Sequence, residues 1–241
     1  MNFSGMKTQV RMFLGESDAD NSNFTDTEID TQINISLLRM ASEIPTLLTY
    51  KEVATVSGTQ TYALPTDFLQ LKDVQLIKSA TQRTSLVRLT YDEFEAMCGS
   101  NTTMTGTPAY YRMELGAVSI AAGSPPGDLW LWPVPDDNGG ANYTVRIVYY
   151  QKPTALTNTT DVSELPEFIH ELACYHAAWH MSIKTDSQSK INNLLYLYET
   201  ALAKAKKTAN KFDRSGSHQM KTAYSSPENT HGKWIRRGPI R

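Results

Sequence analysis

The sequence has little of what usually organises the chemistry of a small domain. Two of its 241 residues are cysteine, Cys98 and Cys174, 76 positions apart, and no CxxC pair occurs. That excludes a disulfide framework and a cysteine-based zinc site, and it suits a reducing compartment. No uncharged apolar run reaches the roughly 18 residues needed to cross a bilayer, so no membrane association is expected. The N-terminal stretch MNFSGMKTQVRMF has no apolar signal-peptide core, which points to a soluble protein folded in a cytoplasm. The N-x-T sequons at Asn101 and Asn158 are therefore chance matches. Gly-rich phosphate loops, nucleophile elbows and paired-carboxylate motifs are all missing, as is any internal repeat. A basic surplus is missing too. Lys plus Arg number 23 against 25 Asp plus Glu, a net of −2, which argues against a dedicated nucleic-acid binder.

What the chain does have is a charge asymmetry hidden by that sum. From Lys204 to Arg241 ten basic residues face only Asp213 and Glu228, a net of +8. The first 202 residues carry 13 basic against 23 acidic groups, a net of −10. An acidic body thus ends in a basic tail.

The hydrophobic pattern divides the chain. Residues 1–50 read as helical. Met6, Val10, Phe13 and Leu14 share helical spacing, and Gly15 can stop that helix. Thr25-Asp26-Thr27-Glu28 is a capping box ahead of the stripe Ile29, Ile33, Leu37, Met40 and Ile44, with Ile35 and Leu38 flanking it; Pro45 ends the helix. Residues 51–152 read as β-rich. Strands are expected at 53–57, 60–64, 72–78, 85–89, 109–114, 117–121, 128–132 and 143–151, with a short helix at 92–98 and turns at Pro125-Pro126-Gly127 and Gly139-Gly140. The last strand is the strongest, being rich in β-branched and aromatic residues. Residues 153–212 read as a helical hairpin. Pro166 suits a first helical position, a turn falls at 185–188, and the second helix runs to about Phe212. Residues 213–241 form a basic arm too polar to order itself alone. The expected class is α+β: a helical bundle from both chain ends, a β-rich insertion and an extended C-terminal arm.

Few constellations suggest chemistry. His170, Cys174, His176 and His180 are soft-metal ligand types, so a metal-dependent hydrolase on His170, His176 and His180 is one alternative. Helical spacing opposes it, because His176 lies about 240° around the helix from His170. The favoured reading places these histidines at helix–helix or subunit contacts. Asp136-Asp137-Asn138-Gly139-Gly140 lacks the spacing and terminal Glu of a calcium loop and reads as a turn. Trp130, Trp132, Tyr149 and Tyr150 read as core or interface rather than a base-stacking platform. Tyr175, Trp179, Tyr196 and Tyr198 are the candidate subunit contacts. The arm has three readings: a protein-docking segment, a phosphate-binding tail that makes the chain a DNA-binding accessory factor, or an idle tail. Docking is favoured, because Trp234 and Ile235 sit among Lys233, Arg236 and Arg237, an aromatic-plus-arginine anchor composition.

Several stretches form a recognisable series. They are Tyr62-Ala63-Leu64-Pro65-Thr66-Asp67-Phe68-Leu69, Gly106-Thr107-Pro108-Ala109-Tyr110-Tyr111, Leu129-Trp130-Leu131-Trp132-Pro133-Val134-Pro135, Tyr143 to Tyr150, Lys152-Pro153 and Leu165-Pro166-Glu167-Phe168. In this order and spacing, over roughly residues 50–200, the chain resembles the tailed-bacteriophage head-to-tail adaptor (connector) proteins. The resemblance implies a virion structural protein and no enzyme, with neither cofactor nor metal. It also implies a homo-oligomeric, dodecameric ring on the portal protein, a platform for tail or nozzle proteins, and a channel that genomic DNA crosses without specific binding. The arm would be the extension that docks on the portal through Arg214, Lys221, Lys233, Trp234, Ile235, Arg236, Arg237 and Arg241. A body at −10 fits such a channel, since it neutralises few phosphates.

Overall fold

The computed structural model describes residues 1–16, 23–98, 104–116, 125–136, 142–185 and 188–223, the last thirteen as backbone only. It is a mixed α+β structure, with helices at both ends of the chain and strands between.

Helix α1 (Phe3–Leu14) starts at Asn2, whose side chain accepts from the Gly5 amide. It ends at Gly15, where φ is +71° and the amides of Gly15 and Glu16 return to the Met12 and Arg11 carbonyls. Glycine meets that left-handed requirement without steric cost. Helix α2 (Asp26–Glu43) opens with the expected capping box, Thr25 Oγ1 accepting from the Glu28 amide and the Glu28 carboxylate from the Thr25 amide. It buries Ile29, Ile33, Leu37 and Met40, and Pro45 follows its end.

Helix α4 (Glu167–Ser182) is apolar nearly all round and packs against α1, α2 and α5 (Gln188–Ala223). A helix that three others cover needs little polar surface, here Glu167, Glu171 and His180, which is why its sequence lacks a clean stripe. Pro166 stands one position earlier than expected, at the N-cap. Leu194, Tyr198 and Ala205 of α5 close this core.

The strands form two four-stranded sheets and one two-stranded sheet among the described residues. One has the order β1 (Leu48–Ala54), β10 (Thr144–Gln151), β3 (Phe68–Ser79), β4 (Gln82–Ser85). The second has the order β2 (Thr61–Ala63), β8 (Gly127–Trp132), β7 (Tyr110–Leu115), β5 (Val87–Arg88). A small parallel pair joins β6 (Thr105–Gly106) to β9 (Val134–Pro135). Val145, Ile147 and Tyr149 of β10 and Val74 and Leu76 of β3 meet Tyr62, Tyr111, Leu129 and Leu131 in one core between the larger sheets. The outer face of the second sheet is covered by α3 (Tyr91–Cys98), through Phe94, Cys98, Trp132 and Val134.

Several boundaries differ from expectation: β3 begins at Phe68 rather than at 72, and the expected strand 85–89 is divided between β4 and β5, which belong to different sheets. Strand β1 spans 48–54 rather than 53–57, since its extent is set by antiparallel pairing with β10, Leu48 opposite Tyr150 through Ala54 opposite Thr144. Helix α5 continues past Phe212 to Ala223. Each added residue gains one backbone hydrogen bond once a helix exists, and no proline interrupts before Pro227. The expected strand 117–121 and the Gly139-Gly140 turn lie outside the described residues.

Candidate functional site

Two of the three candidate histidines, His170 and His176, are built into the packing of the helical core. His170 is buried; its Nε2 lies 2.9 Å from the Leu165 carbonyl and its Nδ1 3.3 Å from the Met1 ammonium. Burial, then the nearby terminal charge, push its pKa down. His176 faces α2. The Ser36 hydroxyl donates to the Gln32 carbonyl at 2.7 Å, so it accepts from His176 Nδ1 at 2.9 Å. This fixes Nε2 as the unprotonated nitrogen, buried and without a hydrogen-bond partner among the described residues. Burial is the main reason its pKa falls to about 4, followed by the positive charge of Arg39. His180 is exposed. Among the described residues no three His, Cys, Asp or Glu side chains converge as a ligand set. Cys174 is enclosed beside the Met6 carbonyl, and burial raises its thiol to about 12, which makes it unreactive.

Of the four aromatic contact candidates, three are engaged inside the protomer. Trp179 and Tyr198 stack with centroids 6.0 Å apart, and the Tyr198 hydroxyl donates to Glu43. Tyr175 stacks on Phe13 at 4.6 Å and donates to Glu171. Tyr196 alone faces out, at 69% exposure. Of the arm, Arg214 and Lys221 fall on α5, while Lys233, Trp234, Ile235, Arg236, Arg237 and Arg241 lie outside the described residues.

The described surface carries several grooves. Ile35 and Leu38, the two aliphatics off the buried stripe of α2, are exposed beside Lys152 and Pro153. A larger groove, about 910 Å³, runs between Lys206, Thr208, Ala209 and Asn210 of α5, Ile44–Thr46, Phe168, and Leu48 and Tyr150 of the first sheet. α4 begins beside this groove, and α5 continues thirteen residues beyond it, roughly 20 Å of helix.

One cluster escaped the sequence. Arg112, on β7, is buried with its guanidinium 4.6 Å from the Tyr91 ring, 4.7 Å from Trp130 and 5.2 Å from Phe94. It also pairs with Glu95 at 3.3 Å and Glu114 at 3.2 Å. This clamp holds α3 on the second sheet. Its one signal in the sequence is an arginine inside the apolar, aromatic strand segment Tyr110–Leu115; that it lies opposite Trp130 follows only from the strand register.

Among the described residues no helix is long and apolar enough to cross a membrane. Comparison with curated proteins gives no match. The family model described as SU10 adaptor protein matches residues 1–226, which takes in the helices, every sheet and the whole of α5. With the match covering nearly all of the chain, the resemblance carried by its β-region motifs becomes a membership: the chain belongs to the SU10 adaptor proteins, a family of bacteriophage head-to-tail adaptors.

Proposed function

We propose that the chain is a non-catalytic virion component whose copies close into a dodecameric ring beneath the portal. The ring joins portal to tail or nozzle proteins and leaves a channel for the genomic DNA. The observation that carries this reading is the family match over residues 1–226. In it the helices at the two chain ends form the bundle of the ring, and the strands form the projecting insertion. The path of α5 supports a docking arm, since the helix carries Arg214 and Lys221 beyond the groove at the start of α4 and leads toward Lys233, Trp234, Ile235, Arg236, Arg237 and Arg241. Its exposure supports Tyr196 as a subunit contact over the three aromatic candidates engaged within the protomer. The acidic body suits a channel wall, because a surface that neutralises few phosphates lets a duplex slide.

The test is to mix the purified protein with portal rings and measure the mass of the product. A stoichiometric ring of adaptor on portal is expected. A chain ending at Ala223 is expected to keep its thermal unfolding profile and lose portal attachment. Full-length protein indifferent to the portal overturns the adaptor reading; a truncated chain that still attaches overturns the role of the arm alone.

A further inference from the structure

Two exposed helix faces carry opposite net charge, and on each of them some of that charge has no partner within the protomer. On α5, Tyr196, Thr200, Ala203 and Lys207 follow the spacing i, i+4, i+7, i+11, which is one face of a helix. The small side chains in its middle leave a shallow groove of about 530 Å³, bordered by Glu199 and Lys204. Tyr196 stands at one end and the lysines at the other. Neither Lys204 nor Lys207 has an ion-pair partner among the described residues, whereas Lys206 is held by Glu43 at 3.0 Å.

The complementary face is on α3. Phe94 and Cys98 are buried, so the opposite side presents Asp92, Glu93 and Glu95 around the small Ala96. Tyr91, at 62% exposure, and Met97, at 45%, flank it. Asp92 has no hydrogen-bond or ion-pair partner among the described residues. The helix is held firmly from behind, through the Arg112 clamp and the Thr90–Glu93 cap, where the Glu93 carboxylate accepts from the Thr90 amide at 2.8 Å. Its eight residues span about 12 Å, and the eleven-residue step from Tyr196 to Lys207 spans about 16 Å, so one fits within the other.

We infer that the α5 groove of one copy receives α3 of the next. In the protomer α3 rests on β7 and α5 on α4, so both faces remain free for this contact. The occupant is set by charge. On the α5 face Lys204 and Lys207 outnumber Glu199, while the α3 face is acidic throughout, so two α3 faces repel and the pairing of unlike faces is the one that the net charges favour. A contact between unlike faces is the kind that repeats around a ring. The inference rests on the ring reading above and names the surfaces that build it.

The test uses the full-length chain with Lys207→Glu, Asp92→Lys and the two combined. Both positions are exposed, and thermal melts monitor the fold. Each single change is expected to weaken subunit association on the portal at least about tenfold, and the double change to restore most of it, as swapped charge pairs do. Single variants that assemble like the unaltered chain, or a double variant no better than the singles, overturn the inference. So do variants that lose portal attachment while self-association is unchanged, since the faces then belong to the portal. If the unaltered chain forms no ring, the adaptor reading fails and this inference with it; if the ring forms and the swap fails, only this inference does.

Discussion

Buried where α2, α4 and α5 meet, His176 ties the helical core to pH. Ser36 and the groups of Arg39 and Glu43 face it from α2, His180 from α4 and the Tyr198 ring from α5 at 5.2 Å. Unfolded, the imidazole takes a proton near its ordinary 6.5; folded, only near about 4. Between these values the unfolded chain binds more protons, so stability falls as pH drops from 6.5 toward 4, by an amount on the order of 2 kcal/mol. Urea unfolding of the native chain and of His176→Gln from pH 7 to 4.5 checks this. The variant should show a flatter slope, and equal slopes refute the assignment. Carboxylates held below their usual range, such as Glu43 beside Lys206 and Arg39, add a loss at lower pH that both chains share. At this scale the sequence was a partial guide. Helical spacing alone showed that the histidines do not converge. It did not show the Arg112 clamp, whose rings come from α3 and β8 and meet only after strand pairing.

Elements written in local rules were legible, and those set by a distant partner were not. The Thr25 capping box, the Gly15 stop and the β-branched run of β10 each need only a few neighbouring residues, and each stands where those residues put it. The two-residue strands β6 and β9 are too short to have a period, and the start of β1 belongs to its pairing with β10. The same contrast appears in the segment that leaves β10 for α4. Asn34 of α2 fastens it across 122 residues, with Oδ1 accepting from the Leu156 amide at 2.8 Å and Nδ2 donating to the Leu156 carbonyl at 3.0 Å. Leu156 itself is buried in the helical core. Asn34→Ala leaves both backbone groups short of a partner and is expected to cost on the order of 2 kcal/mol in urea unfolding. A loss below about 0.5 kcal/mol would mean that water replaces the side chain and that the fastening is incidental.

At the scale of the whole molecule, charge was more legible than shape. The division into a −10 body and a +8 end needs no fold, and the family match over residues 1–226 gives it a setting. Which exposed faces meet was not legible, because Tyr175, Trp179 and Tyr198 look like surface aromatics until α1, α2 and α5 are packed around α4. The charge division separates two roles for the tail. Residues 224–241 hold four basic groups, Lys233, Arg236, Arg237 and Arg241, against Glu228. If the tail is a protein-docking arm on a body that lets DNA slide, duplex binding should be weak and confined to those four charges. The slope of log affinity against log salt should then be no steeper than about −4, and binding should vanish in the chain ending at Ala223. Fluorescence titration with a short duplex from about 50 to 200 mM salt, for both chains, measures this directly. A slope near −8 or beyond would bring in the α5 lysines, and binding that survives truncation would show that the body itself grips phosphates. A ring built from such a body would hold its DNA rather than pass it, and a nucleic-acid role would displace the channel.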